Sequence, residues 1–446
     1  MKFPQSPPAW QPIVNQVIQN NKFGEFLEFG RSESLRPDRY LHWEEFRHRA
    51  STDQNGLTIE QQWSAIRMNR NSRSQITAMT DGKGHSFTFF LTQKAFESLH
   101  QIDLHCGGGI GVPEEGLVQS QTRDRYYLDS VIEEALTSSQ LEGAVVTRSE
   151  AREMIRRQRP PTTDYERMVL NNYRTMRLLS ELKDEPLSKE VVLRIHREVT
   201  AGTLDDPSQE GRFRFPDEDV RIEDEESGEI FHTPPSAAQL EERIAQLSDF
   251  ANEPGMTGFL HPVIRAIFIH FWIAYDHPFV DGNGRTARAL FYWSMLKSGF
   301  WLAEFFSISH EILKAPKQYY RAFLYTETDD NDLNYFLNHQ LQVICSSISS
   351  LQDYIRKKQA EIDSLRIHLQ PKGDFNHRQL ALLKHALKHP FTGYTVVSHQ
   401  SSHGVSYQTA KTDLEDLVGK RLLTRGKQGK AFVYTPSQKL AELLES

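Results

Sequence analysis

The residues with the clearest chemical potential form one short string between His277 and Arg288. It holds a histidine, an aspartate, an asparagine between two glycines, and two arginines: His277, Asp281, Gly282, Asn283, Gly284, Arg285 and Arg288. Apolar segments with helical character flank the string, so it predicts a loop that opens onto the N-terminus of a helix. Such N-termini bind anions, because their free N–H groups and the helix dipole face the ligand.

Each residue type in the string supplies a different part of a phosphate-handling site. The glycines let the backbone approach a ligand closely, and Arg285 and Arg288 occupy neighbouring positions on the first helical turn, which suits a di- or triphosphate. Asp281 offers the oxygen ligand that Mg²⁺ uses together with nucleotide phosphates. His277 titrates near neutrality and can act as a general base. Together these groups indicate phosphoryl or nucleotidyl transfer.

The string resembles the signature of the Fic-domain family, HxFx[DE]GNGRxxR, at every fixed position, including Phe279. The resemblance extends over roughly residues 123–349. It implies transfer of AMP from ATP to a Tyr, Ser or Thr hydroxyl of a protein, with pyrophosphate as the leaving group. The roles it implies are general base for His277, Mg²⁺ ligand for Asp281, phosphate binding for Gly282, Asn283 and Gly284, and contact with the β/γ end for Arg285 and Arg288. Phe279 is expected to be a core anchor.

An upstream segment, Ser138 to Gly143, is similar to the inhibitory motif of the same family, [ST]xxxE[GN]. Ser138 and Glu142 are four residues apart and therefore share a helical face. The resemblance implies that Glu142 pairs with Arg288 and keeps that arginine from the γ-phosphate. In some relatives the matching glutamate also orients a water for AMP removal, and the sequence leaves this alternative open.

The elements around these motifs predict a mainly α fold. Helical periodicity marks segments near 124–141, 165–182, 188–200, 237–252, 261–275 and 286–300, and Ser188 is a plausible N-cap. Val220 to Thr233 predicts a β-hairpin, which lies where the family carries a flap that positions the target. The predicted organisation is an α+β N-terminal extension (1–110), a helical Fic core with the hairpin flap and the inhibitory helix (123–349), and a C-terminal winged helix (374–446).

The winged helix is predicted from a helix, a helix-turn-helix with Gly404 in the turn, and two short strands. Its basic residues concentrate around the wing: Lys420, Arg421, Arg425, Lys427 and Lys430. These would suit DNA phosphates. The second helix of the motif carries Asp413, Glu415 and Asp416, which is unfavourable for tracking a phosphate backbone. The sequence therefore leaves DNA binding and protein docking as alternatives.

Composition narrows the class of protein. The 446 residues carry a net charge of −7 and are 38% hydrophobic, which excludes a globally basic DNA-packaging protein and wholesale disorder. Two cysteines cannot build a disulfide framework or, alone, close a structural zinc site. The N-terminus lacks the apolar segment of a secretion signal, and no window is long enough to span a membrane. A cytoplasmic protein without membrane contact is expected.

The leading hypothesis is an autoinhibited protein adenylyltransferase that uses ATP and Mg²⁺. The expected partner is a protein substrate with a hydroxyl side chain, either another protein or this chain itself, and a homodimer is a further candidate. The alternatives are a protein de-AMPylase, a transferase that uses another nucleotide, and a DNA-binding regulator whose Fic core senses nucleotide. A toxin-like module ranks lower, because the inhibitory segment lies in the same chain.

Overall fold

Helices dominate the structure, a computed structural model that describes residues 2–34, 40–51, 56–106, 120–224, 227–252, 258–369, 374–389, 392–428, 431–437 and 440. The chain divides into two compact units, residues 1–111 with 130–348 and residues 112–129 with 349–446. The strands found in the described residues form two-stranded antiparallel pairs, which confirms the predicted mainly α fold. None of the described helices combines the length and apolar character needed to cross a lipid bilayer.

The N-terminal region begins with four helices around an apolar cluster that includes Trp43 and Trp63. The helices are α1 (Trp10–Gln19), α2 (Phe23–Ser34), α3 (Trp43–Arg49) and α4 (Ile59–Arg73). Strands β1 (Gln75–Thr80) and β2 (Ser86–Phe89) and helix α5 (Gln93–Cys106) follow. Phe87 of β2 packs edge-on against Phe271 and Tyr275, so this region shares a core with the later helices.

The region predicted to hold the site is helical apart from one hairpin. Its first elements are α6 (Ser120–Leu141), α7 (Arg148–Arg157), α8 (Asp164–Leu182), α9 (Lys189–Thr200), β3 (Ile222–Glu223), β4 (Ile230–His232) and α10 (Leu240–Asn252). Ser188 caps α9 by accepting the N–H of Val191, as predicted. Ile222 pairs with His232 across the hairpin, which confirms the hairpin prediction. Positions 225 and 226 at its acidic tip lie outside the described residues.

Two helices, α11 (Pro262–Asp276) and α12 (Asn283–Lys297), form the centre of this unit. Almost every side chain of both is buried. Helix α11 is apolar on nearly all faces, whereas α12 buries Arg285 and Arg288 together with its apolar side chains. They are joined by the loop that carries the predicted catalytic string. The elements that follow are α13 (Ile308–Lys314), α14 (Pro316–Thr328) and α15 (Asn334–Leu369). The rigid helix pair thus fixes both ends of the loop.

The C-terminal unit has the order of elements predicted for a winged helix. These are α16 (His377–Lys388), α17 (Val396–His403), α18 (Tyr407–Gly419), β5 (Leu423–Gln428) and β6 (Ala431–Pro436). Gly404 ends α17 in the left-handed region at φ +61°, which is the tight turn expected of a helix-turn-helix. Leucines from α16, α18 and β5 and the ring of Tyr434 fill the core.

Candidate functional site

His277 lies at the end of α11, where the chain turns into the loop. Its backbone is left-handed (φ +46°), and the Nε atom of Arg214 donates to its carbonyl oxygen at 2.9 Å. Its Nδ1 atom lies 3.1 Å from the carbonyl oxygen of Ala274. A carbonyl only accepts, so Nδ1 carries the hydrogen and Nε2 keeps its lone pair. The geometry therefore presents Nε2 as a proton acceptor.

Burial and nearby charges keep this imidazole neutral. Burial is the largest cause of a low His277 pKa, and the positive charges of His232 and Arg214 lower it further. The Ala274 carbonyl and the Glu142 carboxylate act in the opposite direction, and the net result is a pKa of about 4. A neutral histidine at physiological pH is the form that a general base requires.

The loop reaches the N-terminus of α12 through Gly282, which has a φ of +82°. A Cβ atom at this position would lie 2.6 Å from Thr200, so both conformation and space require glycine. The side chain of Asn283 accepts from the Phe279 N–H and donates to the Phe279 carbonyl. Asn283 therefore braces the loop with its side chain.

Phe279 and His196 form the support under the loop. The Phe279 ring is fully buried and stacks on the His196 ring at a centroid distance of 3.6 Å. The Nε2 atom of His196 hydrogen-bonds the Asp281 carbonyl at 2.9 Å, and Nδ1 accepts from the Gly211 N–H. Sequence reasoning missed His196, because nothing in α9 alone relates it to a loop 85 residues later.

Asp281 is the exposed acid of the loop. One carboxylate oxygen accepts from Arg285 at 3.0 Å and the other from the Gly282 N–H at 2.5 Å. About half of the side chain faces solvent, which leaves lone pairs open. The described residues contain no cluster of three possible metal ligands. A single carboxylate fits Mg²⁺ held mainly by nucleotide phosphates and water.

Arg288 is buried, and its guanidinium is bound by the last turn of α6 and the residue that follows this helix. The Glu142 carboxylate accepts from Nη2 at 2.8 Å, and Ser138 accepts at its hydroxyl from Nε at 3.0 Å and at its carbonyl from Nη2 at 3.1 Å. Glu142 also lies against Gly284, where a Cβ atom would clash with its carboxylate oxygen. The two motifs predicted from the sequence thus meet at Arg288.

A third residue of α6, Glu134, was missed by sequence reasoning. It is one turn before Ser138 and buried, and its carboxylate accepts from Tyr292, Ser307 and both the N–H and the hydroxyl of Ser309. Burial raises its pKa, and the bonds from the two serines oppose that effect. Its donors come from α12 and the start of α13, so Glu134 anchors the helix that leads into the turn with Glu142. Only the three-dimensional structure brings these donors together.

The acids of the predicted recognition helix, α18, are all paired inside the C-terminal unit. Asp413 accepts from Arg378, Asp416 from Lys420 and Gln379, and Glu415 from Arg425 and Tyr434: these three carboxylates are engaged. The exposed side chains of α18 include Tyr407, Gln408, Lys411 and Thr412. Of the predicted basic cluster, Arg421 and Lys427 are exposed as well, and Lys430 lies outside the described residues.

Comparison with known proteins gives matches to two regions of the chain. Residues 186–295 match the Fic/DOC family, and residues 386–446 match the penicillinase repressor family. The protein adenylyltransferase Fic of Nematostella vectensis is 32% identical over 123 residues, which cover 26% of this chain and 25% of that protein. The protein of the same name from Aedes aegypti is 24% identical over 285 residues, 63% of this chain and 49% of its own length. The chain therefore spans between a quarter and half of these relatives.

Among solved structures, a Fic family protein from Desulfovibrio desulfuricans G20 is similar with a TM-score of 0.48 and 17% identity, covering 78% of this chain and 97% of that one. A fragment of Fic-1 from C. elegans has a TM-score of 0.44 and 22% identity, covering 59% and 71%.

Proposed function

Because the chain contains a Fic domain, we propose that it transfers AMP from ATP to a hydroxyl side chain of a protein and that helix α6 inhibits this transfer. The observation that carries the proposal is the junction of the two motifs. A neutral histidine and a helix N-terminus suited to phosphate share one loop, and the arginine on the next turn is held by Glu142. The target can be another protein or a second copy of this chain.

The reaction follows from the free Nε2 atom of His277. This nitrogen takes the proton of the target hydroxyl, and the hydroxyl oxygen attacks the α-phosphorus of ATP. The bond between the α-phosphorus and its bridging oxygen breaks, and pyrophosphate leaves. The N–H groups at the start of α12 hold the developing phosphate charge together with Arg285, which is already oriented by Asp281.

Asp281 is the residue that would hold Mg²⁺. The ion supplies charge neutralisation and orientation for the phosphates of the nucleotide. The Asp281 carboxylate is about half exposed, and its bond to Arg285 fixes its orientation.

Inhibition follows from competition for Arg288. While Glu142 and Ser138 accept the hydrogen bonds of the Arg288 guanidinium, this arginine cannot bind the γ-phosphate. The Glu142 carboxylate then stands, with its negative charge, where the γ-phosphate would bind. ATP then binds without its productive phosphate contacts. Detachment of Glu142 returns the arginine to the nucleotide and raises the rate.

Isotope position tests the reaction directly. The purified wild type and its Glu142→Gly variant are each incubated with Mg²⁺, a cell lysate and ATP labelled on the α- or the γ-phosphate. His277→Ala is the matched control, and the label found with lysate alone is subtracted. We expect protein-bound α-label, no γ-label, and neither in His277→Ala. Protein-bound γ-label would mean phosphoryl transfer, and no label on any protein would contradict ATP-based AMP transfer. Release of AMP from a modified protein would instead favour the de-AMPylase alternative.

A second function, DNA binding through the winged helix, is favoured by the internal pairing of Asp413, Glu415 and Asp416. Because basic side chains balance these three carboxylates, the acids no longer make α18 unfavourable for DNA. The exposed side chains of the helix include Lys411 and neutral polar groups. We propose that the C-terminal unit contacts duplex DNA through this face. Fluorescence anisotropy with mixed-sequence duplex DNA should show binding that weakens with salt and weakens further in Lys411→Glu. Equal signals with and without protein at 50 mM salt would contradict this function.

A further inference from the structure

His232, on the second strand of the hairpin, connects three elements near the site. It is 7% exposed. Its Nε2 atom lies 2.7 Å from the carbonyl oxygen of Tyr275, two residues before His277. Its Nδ1 atom lies 2.7 Å from a carboxylate oxygen of Glu327 on α14. One ring thus joins the hairpin to the end of α11 and to α14.

The two partners determine the protonation state of this ring. A backbone carbonyl and an ionised carboxylate only accept hydrogen bonds, whereas a neutral imidazole has a single N–H donor. Both bonds form together only when both ring nitrogens carry hydrogen. Burial alone would lower the His232 pKa, but Glu327 and the Tyr275 carbonyl outweigh it, and the pKa is raised above its ordinary value.

The surroundings of this ring contain charges from every neighbouring element. Those that act on His232 or on His277 are Glu142 in the turn after α6, Arg214 before the hairpin, Asp276 of α11 and Glu327 of α14. Asp276 is itself paired with Arg243 of α10 at 2.6 Å. Its charge is therefore already balanced, and Glu327 is the acid bonded directly to the ring.

We propose that His232 is a positioning residue: as an imidazolium, it fixes the hairpin to the end of α11, and its charge adds to burial in disfavouring protonation of the neighbouring base His277. This inference rests on the proposed function only for the role of His277. Because the same strand forms the hairpin that would receive a target, the bond to Tyr275 also sets the position of that target relative to the base.

Two variants separate the charge from the connection. In Glu327→Gln, the amide can donate to Nδ1 while Nε2 still donates to Tyr275, so the ring loses its charge and keeps both bonds. In His232→Leu, the charge and the connection are both lost. Asp103→Asn is the matched control, because Asp103 pairs with His261 at 3.0 Å in another part of the unit.

The first readout is the ring nitrogen spectrum of histidine-labelled protein, with His232→Leu identifying the signal. At pH 7.5 we expect imidazolium shifts for His232 in the wild type and in Asp103→Asn, and neutral shifts in Glu327→Gln. Neutral shifts in the wild type would overturn the proposal. This readout does not require enzymatic activity.

The second readout is AMP transfer against pH, measured in the Glu142→Gly background. In Glu327→Gln, His277 loses the neighbouring positive charge of His232, so the acidic limb of the rate–pH profile should move to higher pH. The rate at pH 8 should change less than about twofold. In His232→Leu, kcat should fall about tenfold or more with the KM for ATP unchanged. An unmoved limb in Glu327→Gln, or an unchanged kcat in His232→Leu, would overturn the proposal. Absence of transfer in every variant would contradict the proposed function, and the nitrogen spectrum would still decide the charge of His232.

Discussion

The two ends of the candidate site are held in different ways. At the base end, His277 is fixed by backbone carbonyls and by Arg214, and its Nε2 atom is open. At the arginine end, Arg288 is filled by Ser138 and Glu142, which precede it by about 150 positions in the chain. The base end already has the geometry of a proton acceptor. At the arginine end, the availability of Arg288 depends on the position of α6 and of Glu142 after it. On this account, catalysis and control belong to separate parts of one loop-and-helix unit.

The largest effect is expected from the base end. His277→Ala removes the proton acceptor, and the rate of AMP transfer should fall about 10²- to 10⁴-fold, the usual contribution of a general base. ATP affinity, measured by calorimetry, should change little, because the ring faces the target hydroxyl. A variant that keeps more than a tenth of the wild-type rate would show that another group accepts the proton. It would contradict the assignment of proton transfer to His277.

The anchor of the arginine end is tested by Glu134→Ala. The change removes a carboxylate that accepts four hydrogen bonds, so helix α6 should hold Arg288 less firmly and transfer should rise about tenfold. Glu133→Ala is the matched control, since Glu133 pairs with Arg148 and His310 instead. The rise should vanish in the Glu142→Gly background. A Glu134→Ala protein that melts near the wild-type temperature without a rise would limit Glu134 to a structural role.

A smaller effect at the same end is expected from Ser138→Ala. The hydroxyl accepts one bond from Arg288, while the Ser138 carbonyl bond remains. Loss of about 0.5–1 kcal/mol should raise transfer about threefold. An effect as large as that of Glu134→Ala would mean that the hydroxyl, and not the anchor, controls the helix.

The smallest effect is expected from pH. A base with a pKa of about 4 is neutral throughout the range from pH 8 to pH 6, and the rate is lost only as pH falls through that value. Transfer by the Glu142→Gly variant should therefore change less than about twofold between pH 8 and pH 6. An ordinary histidine with a pKa near 6.5 would lose about three quarters of its neutral form at pH 6. A fourfold fall in rate between pH 8 and pH 6 would show that the His277 pKa is close to that of an exposed histidine.

The sequence predicted the parts of the site that depend on local spacing. The loop from His277 to Arg288, the cap at Ser188 and the hairpin ending at His232 all follow from residue types a few positions apart. It could not predict Glu134, whose donors lie more than 150 positions away. It also could not predict that Asp413 and Glu415 of α18 are paired, because their partners, Arg378 and Arg425, come from other elements of the same unit.

The same limit applies to the adenine pocket. The resemblance to the Fic-domain family also implies an adenine pocket, and Tyr320 and Asn331 lie in the segment that this resemblance expects to complete it. Asn331 instead donates to Asp81 and to the His85 carbonyl, at the turn between β1 and β2. Pairings between distant segments decide which polar groups remain available, and spacing along the chain does not reveal them.

Glu142 is proposed to inhibit AMP transfer by holding Arg288. The most direct measurement is the initial rate of α-label transfer by the wild type, Glu142→Gly, Glu142→Gly with Arg288→Ala, and Glu153→Gly, which breaks an exposed glutamate–arginine pair elsewhere. We predict a rise of about 5- to 150-fold in Glu142→Gly, loss of that rise in the double variant, and no rise in Glu153→Gly. Equal rates in the wild type and Glu142→Gly, with both proteins folded and active, would contradict the account.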